Sequence, residues 1–172
     1  MEIVFEPLRK RHDRASFSSG EPELDDWFRR RASQDEKRNV ARVFVAVDRH
    51  DEDAVVGLYS LSAFTLALDG LPSELSRKLP RYDVIPACLI GRLARAESVR
   101  GQGVGELLLA DAITRILSVG RSLAVFAIVV DAQNERAKAF YRTFGFIPFP
   151  ATARRLFLLT STAAAAMTGK RR

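Results

Sequence analysis

Arg100-Gly101-Gln102-Gly103-Val104-Gly105 sets three glycines at alternate positions behind a basic residue, and an apolar-periodic run over residues 106–119 follows at once. Glycines this close let the backbone curl tightly and come within contact distance of a ligand. A helix starting there turns its unpaired N–H groups, and the positive end of its dipole, toward whatever occupies the loop. The result is an anion site, and a phosphate group is its natural guest. Two other phosphate loops do not fit. A P-loop ends in Lys followed by Ser or Thr, whereas Gly105 here precedes Glu106-Leu107. A dinucleotide fingerprint needs G-x-G-x-x-G directly after a strand. Here G-x-G-x-G follows the polar run Arg95-Ala96-Glu97-Ser98-Val99-Arg100. The plain structural alternative is a glycine turn feeding a core helix.

Strands and helices must alternate to position this loop. Residues 3–5 form a short strand candidate. Pro22 suits the first turn of a helix, and Leu24, Trp27, Phe28 and Ala32 make an i, i+3, i+4, i+8 stripe behind it. Residues 43–47 and 55–68 read as strands joined by an acidic turn around Asp51-Glu52-Asp53. Residues 72–80 form a basic connector. The near-continuous apolar run 87–94 is typical of a strand buried on both faces. After the glycine loop, Leu109, Ala112, Ile113 and Ile116 define one helix face. Residues 123–130 read as a buried strand, and residues 135–144 as a helix ended by Gly145. Phe140, Phe144 and Phe146 read as core, and residues 146–149 and 156–159 as the last strands. The pattern predicts a mixed α/β sheet in a single domain over residues 1–162. Residues 163–172, ending Lys170-Arg171-Arg172, read as a flexible tail.

Composition narrows the class. The chain has 172 residues, 47% hydrophobic and 28% charged, which suits one globular domain with a real core. No apolar run approaches the roughly 20 residues that span a bilayer, and Met1-Glu2-Ile3-Val4-Phe5-Glu6 lacks the features of a signal peptide. One cysteine makes no internal disulfide. A cytoplasmic protein without a membrane partner is therefore expected. Cys88 lies in Ala87-Cys88-Leu89-Ile90 and reads as a buried small hydrophobe. His12 and His50, flanked by charges, read as surface positions. Two histidines and one cysteine give no metal-ligand spacing, so no metal is expected. Ser60 and Ser62 read as polar-face residues of a strand. The net charge of +6 spreads over basic clusters, including Arg29-Arg30-Arg31 and Arg77-Lys78 with Arg81. Such a surface is a solvated face or a steering field for a polyanion.

Three stretches together resemble the GCN5-related N-acetyltransferases: Gly91-Arg92-Leu93-Ala94, the glycine loop, and Asn134-Glu135-Arg136-Ala137-Lys138-Ala139-Phe140-Tyr141-Arg142-Thr143-Phe144-Gly145-Phe146. In that family an R/Q-x-x-G-x-G/A loop takes the pyrophosphate of acetyl-CoA, matched here by Arg100, Gly103 and Gly105. The pattern N-x-x-A-x-x-F-Y-x-x-x-G-F is matched without a gap. The resemblance covers residues 43–159, with the N-terminal helix also in place. It implies the family's acyl-CoA N-acyltransferase fold, an α/β domain whose central, mostly antiparallel sheet carries helices on both faces. It also implies acetyl-CoA as cosubstrate, held by Leu93, Ala94, Arg95, Arg100, Gly101, Gln102, Gly103, Val104, Gly105, Glu106, Asn134 and Phe140, with Tyr141 as the catalytic proton donor.

A narrower resemblance is to the acetyltransferase toxins of type II toxin–antitoxin systems, which acetylate the amino group of aminoacyl-tRNA. Their Phe-x-x-Gly and Leu-Asp-x-Trp patterns are similar to Phe17-Ser18-Ser19-Gly20 and Leu24-Asp25-Asp26-Trp27. Their Gly-x-Tyr-Ser-Leu-Ser strand is matched by Gly57-Leu58-Tyr59-Ser60-Leu61-Ser62, and their Pro-rich approach to the central strand by Leu79-Pro80-Arg81 and Ile85-Pro86. One departure stands out: those toxins generally follow Ala94 with an aliphatic residue and then Asp, where this chain has Arg95-Ala96. The likeness implies acetylation of the α-amino group of aminoacyl-tRNA, a block of translation, a ribbon–helix–helix antitoxin and a homodimer. Arg92 interrupts an apolar strand, where a charge is costly unless paired or facing solvent or ligand. It pairs with an acidic residue such as Asp131, or it contacts acceptor-stem phosphates along a track extended by Arg77, Lys78 and Arg81.

Acetyl transfer from a thioester needs a neutral amine, a donor for the oxyanion and a proton for the departing thiolate. The Tyr141 phenol ionises near 10 when unperturbed, so it holds its proton at neutral pH. The structural alternative for Tyr141 is an aromatic anchor, and for Asn134 an ordinary helix N-cap. No dedicated general base stands out, although Glu97 and Asp131 are available. Deprotonating a lysine of pKa about 10.4 at pH 7 costs roughly 4–5 kcal/mol, and an α-amine of pKa 7.7–8.0 only about 1–1.4 kcal/mol. That favours an aminoacyl acceptor. Acetylation of small amines or protein N-termini, and a non-catalytic CoA-binding regulator, stay open.

Overall fold

Thirteen α-helices and strands run through the described residues. In the computed structural model, which describes residues 1–169, they run β1 (Ile3–Pro7), α1 (Pro22–Arg30), α2 (Ala32–Lys37), β2 (Arg42–Asp48), β3 (Asp51–Ala67), α3 (Ser73–Ser76), β4 (Val84–Arg95), α4 (Val104–Val119), β5 (Ala127–Asp131), α5 (Glu135–Thr143), β6 (Ile147–Phe149), β7 (Thr152–Leu159) and α6 (Thr160–Gly169). The strands form one seven-stranded sheet in the order β1-β2-β3-β4-β5-β7-β6. The pairs β1–β2, β2–β3, β5–β7 and β6–β7 are antiparallel, and β4–β5 is parallel. The mixed α/β sheet is what the alternation of patterns predicted, and its mostly antiparallel pairing is what the family resemblance implied. Among the described residues, no helix is long and apolar enough to cross a membrane. The chain divides into two compact units, one of Met1–Ser62 with Gly91–Ala112, the other of Ala63–Ile90 with the chain from Ile113 onward.

In the first unit, β2 buries Val43, Val45, Ala46 and Val47, with Val43 facing Ser60 and Val45 facing Leu58 of β3. Ser60 is itself buried rather than on a polar face. The expected acidic turn is instead the start of β3: Asp51 pairs with Asp48, and the turn falls at Arg49-His50. Arg11 explains how those carboxylates lie extended together. Its guanidinium donates to the Glu52 carbonyl at 2.7 Å and lies 3.4 Å from both Glu52 and Asp53 carboxylates.

The predicted stripe is buried, with Leu24, Trp27 and Phe28 in α1 and Ala32 at the start of α2. Phe17 stacks on Phe28 with ring centroids 5.2 Å apart. Each such large side chain contributes about 1.5–3 kcal/mol through burial. His12 is buried, not a surface residue. Its Nδ1 accepts the Arg9 N–H at 2.8 Å and its Nε2 donates to Glu6 at 2.5 Å. A neutral imidazole satisfied on both nitrogens loses little on leaving water. The flanking charges that pointed to the surface are themselves drawn in: Arg11 also pairs with Glu6.

In the second unit, the parallel ladder runs from Ala87 facing Ala127 to Ile90 facing Val130. Leu66, Leu71, Ala87, Ala127, Val129, Phe149 and Phe157 form a core cluster. Cys88 beside it is half-buried rather than buried. The strand predicted from residue 123 begins only at Ala127. Ser122 and Leu123 still donate to the Val119 carbonyl, so they close off α4, and Leu123 is exposed. Gly145 ends α5 at φ +89, as its position predicted. Phe146 is buried as predicted, but Phe140 is half-buried and Phe144 is exposed.

The tail predicted over 163–172 is helical as far as Gly169. Alanine is the best helix former, Thr160 fixes the start by donating to the Val125 and Phe126 carbonyls at 2.6 and 3.0 Å, and Ala163 is buried. Lys170-Arg171-Arg172 lie outside the described residues.

Candidate active site

The glycine loop belongs to the first unit. Gly101 and Gly103 both sit at φ +77, and a Cβ added to either meets no atom within 4 Å. Their backbone therefore favours glycine, and their open side faces space that a ligand can fill. A short 3-10 turn, Glu97–Val99, delivers the loop, with the Arg100 N–H on the Glu97 carbonyl at 3.1 Å and the Gln102 N–H on the Val99 carbonyl at 3.2 Å. Buried Val104, Leu108 and Leu109 anchor the start of the 16-residue α4. Arg100, Gly101, Gln102, Gly103 and Glu106 stay exposed, and Gly105 is half-buried. The first turn of a helix leaves its N–H groups without intrahelical partners. Open glycines, an exposed Arg100 and that helix start fit a pyrophosphate.

Just before the loop, β4 ends with Ala94 buried and Leu93 and Arg95 half-buried. The departure at Arg95 is absorbed locally: its guanidinium folds back to donate to the Ala96 carbonyl at 3.2 Å.

The Phe17-Ser18-Ser19-Gly20 turn ties down the approach to the loop, a link the sequence carried only as a family pattern. The Glu97 N–H donates to the Ser18 carbonyl at 2.8 Å, and the Ser18 hydroxyl to the Glu97 carboxylate at 3.1 Å. Buried Asp25 accepts from the Ser19 N–H at 3.0 Å and its hydroxyl at 2.6 Å. Gly20 sits at φ +87, where an added Cβ would come 3.0 Å from Glu97 Oε1. Gly20→Ala should lower stability by about 1–2 kcal/mol through left-handed strain. It should also raise the KM for the loop's ligand by displacing Glu97. Urea unfolding and steady-state kinetics check both effects; an unchanged KM would mean that the turn does not position the loop.

Arg92 does not use the carboxylate suggested by the sequence. Its guanidinium lies over the Trp27 ring, 4.1 Å from the centroid. Burial lowers its pKa, Asp35 opposes that shift and Arg31 adds to it. Arg77, Lys78 and Arg81 are exposed in the second unit, around the end of α3.

Asp131, also in the second unit, is held by Arg155 through two hydrogen bonds of 2.7 and 3.0 Å. Arg155 lies over the Phe64 ring, 5.0 Å from its centroid. Asn134 caps α5, its Oδ1 accepting the Ala137 N–H at 2.9 Å. Tyr141, two residues before the end of that helix, is 6% exposed and packs against Phe140 and Phe146 at centroid distances of 5.4 and 5.6 Å. Burial pushes its phenol pKa well above the ordinary value, and the charge of Asp131 pushes it in the same direction. The group is a proton-loaded hydroxyl throughout the neutral range.

A model of the acetyltransferase (GNAT) family matches residues 6–146. The chain belongs to this family. Among similar GNAT proteins, a tRNA-acetylating toxin of Mycobacterium tuberculosis is 38% identical over 153 residues, which are 89% of each chain. Two solved structures share 28% identity and cover 96% of this chain. One, AtaT complexed with acetyl-methionyl-tRNAfMet, has a TM-score of 0.89 over 99% of its own chain. The other, AtaTR bound with AcCoA, has a TM-score of 0.85 over 98% of its own chain.

Proposed function

We propose that this chain, as one catalytic domain, transfers the acetyl group of acetyl-CoA to the α-amino group of aminoacyl-tRNA and thereby acts as a translation-blocking toxin. The likeness to a tRNA-acetylating toxin across most of both chains carries this reading. Arg100 and the backbone of Gly101, Gln102, Gly103, Val104, Gly105 and Glu106 take the pyrophosphate. The strand end at Leu93, Ala94 and Arg95 and the residues Asn134 and Phe140 complete the cosubstrate contacts. Arg92, Arg77, Lys78 and Arg81 meet the acceptor RNA.

The neutral amine attacks the thioester carbonyl, a C–N bond forms and the C–S bond breaks. Tyr141 gives its proton to the departing sulfur, the amine proton leaves to water, and water returns a proton to the Tyr141 phenolate so that the net products are the amide and the free thiol. Water suffices as the proton acceptor, and both candidate carboxylates already accept hydrogen bonds within the protein. Both oxygens of Asp131 are engaged by Arg155, and Glu97 accepts from Ser18. An α-amine costs only about 1–1.4 kcal/mol to deprotonate at pH 7. A ribbon–helix–helix antitoxin, a homodimer and a cytoplasmic location complete the proposal.

The test is incubation with acetyl-CoA and charged tRNA pools, followed by identification of the acetylated amino acid. Acetylation of one or a few aminoacyl groups is expected. A free-lysine peptide acetylated faster than every charged tRNA would overturn the reading.

A further inference from the structure

Arg92 is engaged by the protein on one face only. Its guanidinium covers the Trp27 ring, yet among the described residues it forms no ion pair and no hydrogen bond. The carboxylate that influences it, Asp35, is already engaged by the indole, since Asp35 Oδ2 accepts the Trp27 Nε1–H at 2.8 Å. That indole is buried in α1, on the same stripe as buried Leu24 and Phe28, and Asp35 holds its N–H. A cation stacked on a pinned ring keeps its orientation while its N–H groups stay directed away from the ring. Arg92 is only half-buried, so those groups remain reachable. Partial desolvation of a cation that forms no ion pair is costly, and an incoming anion offsets that cost. The planar fork matches a phosphate with two N–H donors, which a lysine ammonium cannot reproduce. Arg31, exposed on the same helical segment, adds to the positive field around it.

We propose that Trp27, pinned by Asp35, is a positioning residue that presents the Arg92 guanidinium to a backbone phosphate of the charged tRNA. The inference rests on the aminoacyl-tRNA reading above and adds to it the device that orients the contact. Phosphates occur in both substrates, so the two sources must be separated.

Kinetics of Arg92→Lys, Arg92→Gln, Trp27→Leu and the Trp27→Leu/Arg92→Gln pair decide the matter. KM and kcat are measured for charged tRNA across salt concentrations, with KM for acetyl-CoA and for an aminoacyl methyl ester in parallel. Arg92→Lys and Trp27→Leu should each raise the tRNA KM about tenfold, equivalent to ~1.4 kcal/mol. Arg92→Gln, which removes the charge, should also flatten the salt dependence by about one phosphate contact, and in all three single variants the loss should fall on KM rather than kcat. The double variant should be no worse than Arg92→Gln alone. Additive losses would overturn the coupling. A rise in KM for acetyl-CoA instead would place Arg92 on the cosubstrate and overturn the assignment. Arg92→Lys at the native tRNA KM would overturn it even if Trp27→Leu failed to fold. A native protein inactive on charged tRNA sinks both readings, whereas tRNA acetylation indifferent to Arg92→Lys sinks this one alone.

Discussion

Tyr141→Phe should lower kcat for acetyl transfer by roughly 10²–10⁴-fold while leaving the fold and acetyl-CoA affinity in place. The hydroxyl makes no hydrogen bond to any described residue, so its removal orphans no partner. The ring stays packed between Phe140 and Phe146. Thermal melting should therefore move by no more than a few degrees, which separates chemistry from structure. The pH profile gives a second check. The active form of the phenol is protonated, and burial together with Asp131 raises its pKa. The alkaline loss due to its ionisation is thus displaced upward, beyond the pH at which the acceptor amine has deprotonated. The native rate should climb as the aminoacyl amine loses its proton, below the pH 7.7–8.0 of a free α-amino group, and then hold level into the alkaline range. Native kcat in Tyr141→Phe would reduce the residue to an aromatic anchor. A fall in rate beginning near pH 9 would show that the phenol is not held in its protonated form.

The loop, the capping Asn134 and the aromatic helix were legible because local chemistry dictates them. Glycines at alternate positions force a curled backbone, and an Asn before a helix finds a backbone N–H whatever the tertiary context. The stripe in α1 was legible for the same reason, since its period alone assigns a buried face. What was not legible depends on partners that no periodic pattern or turn signal names. His12 reads as surface from its neighbours, and only Glu6 and the Arg9 N–H make its burial tolerable. Asp51-Glu52-Asp53 reads as a turn until Arg11 neutralises it within a strand. The Arg92–Trp27 stack joins residues 65 positions apart by their numbers, and no periodicity connects them. Asp131 reads as a partner for Arg92, whereas β7 supplies Arg155 in direct register with it. In each case a charge was visible in the sequence, but its counterpart was not.

Gly103→Ala should abolish tight binding of acetyl-CoA, raising its Kd by at least about 100-fold, with only a modest loss of stability. Two observations separate these effects. The positive φ of +77 imposes left-handed strain on any Cβ, worth about 1–2 kcal/mol. For a chain of this length, 1 kcal/mol lowers Tm by about 2–4 °C. No protein atom lies within 4 Å of the added methyl, so the fold meets no clash. The methyl instead enters the open side of the loop, where the proposed pyrophosphate must approach the backbone. Gly57 is the reverse case: its added Cβ would lie 2.8 Å from Leu108 Cδ1 and 3.3 Å from the Ala94 carbonyl oxygen. Substitution there overpacks a fully buried neighbour, at a cost of about 1–3 kcal/mol. Calorimetric titration of CoA into Gly103→Ala, alongside its melting curve, therefore reads the ligand and the fold separately. Unchanged CoA affinity in a folded Gly103→Ala protein would remove the loop from the cosubstrate site and leave it a turn that merely starts α4.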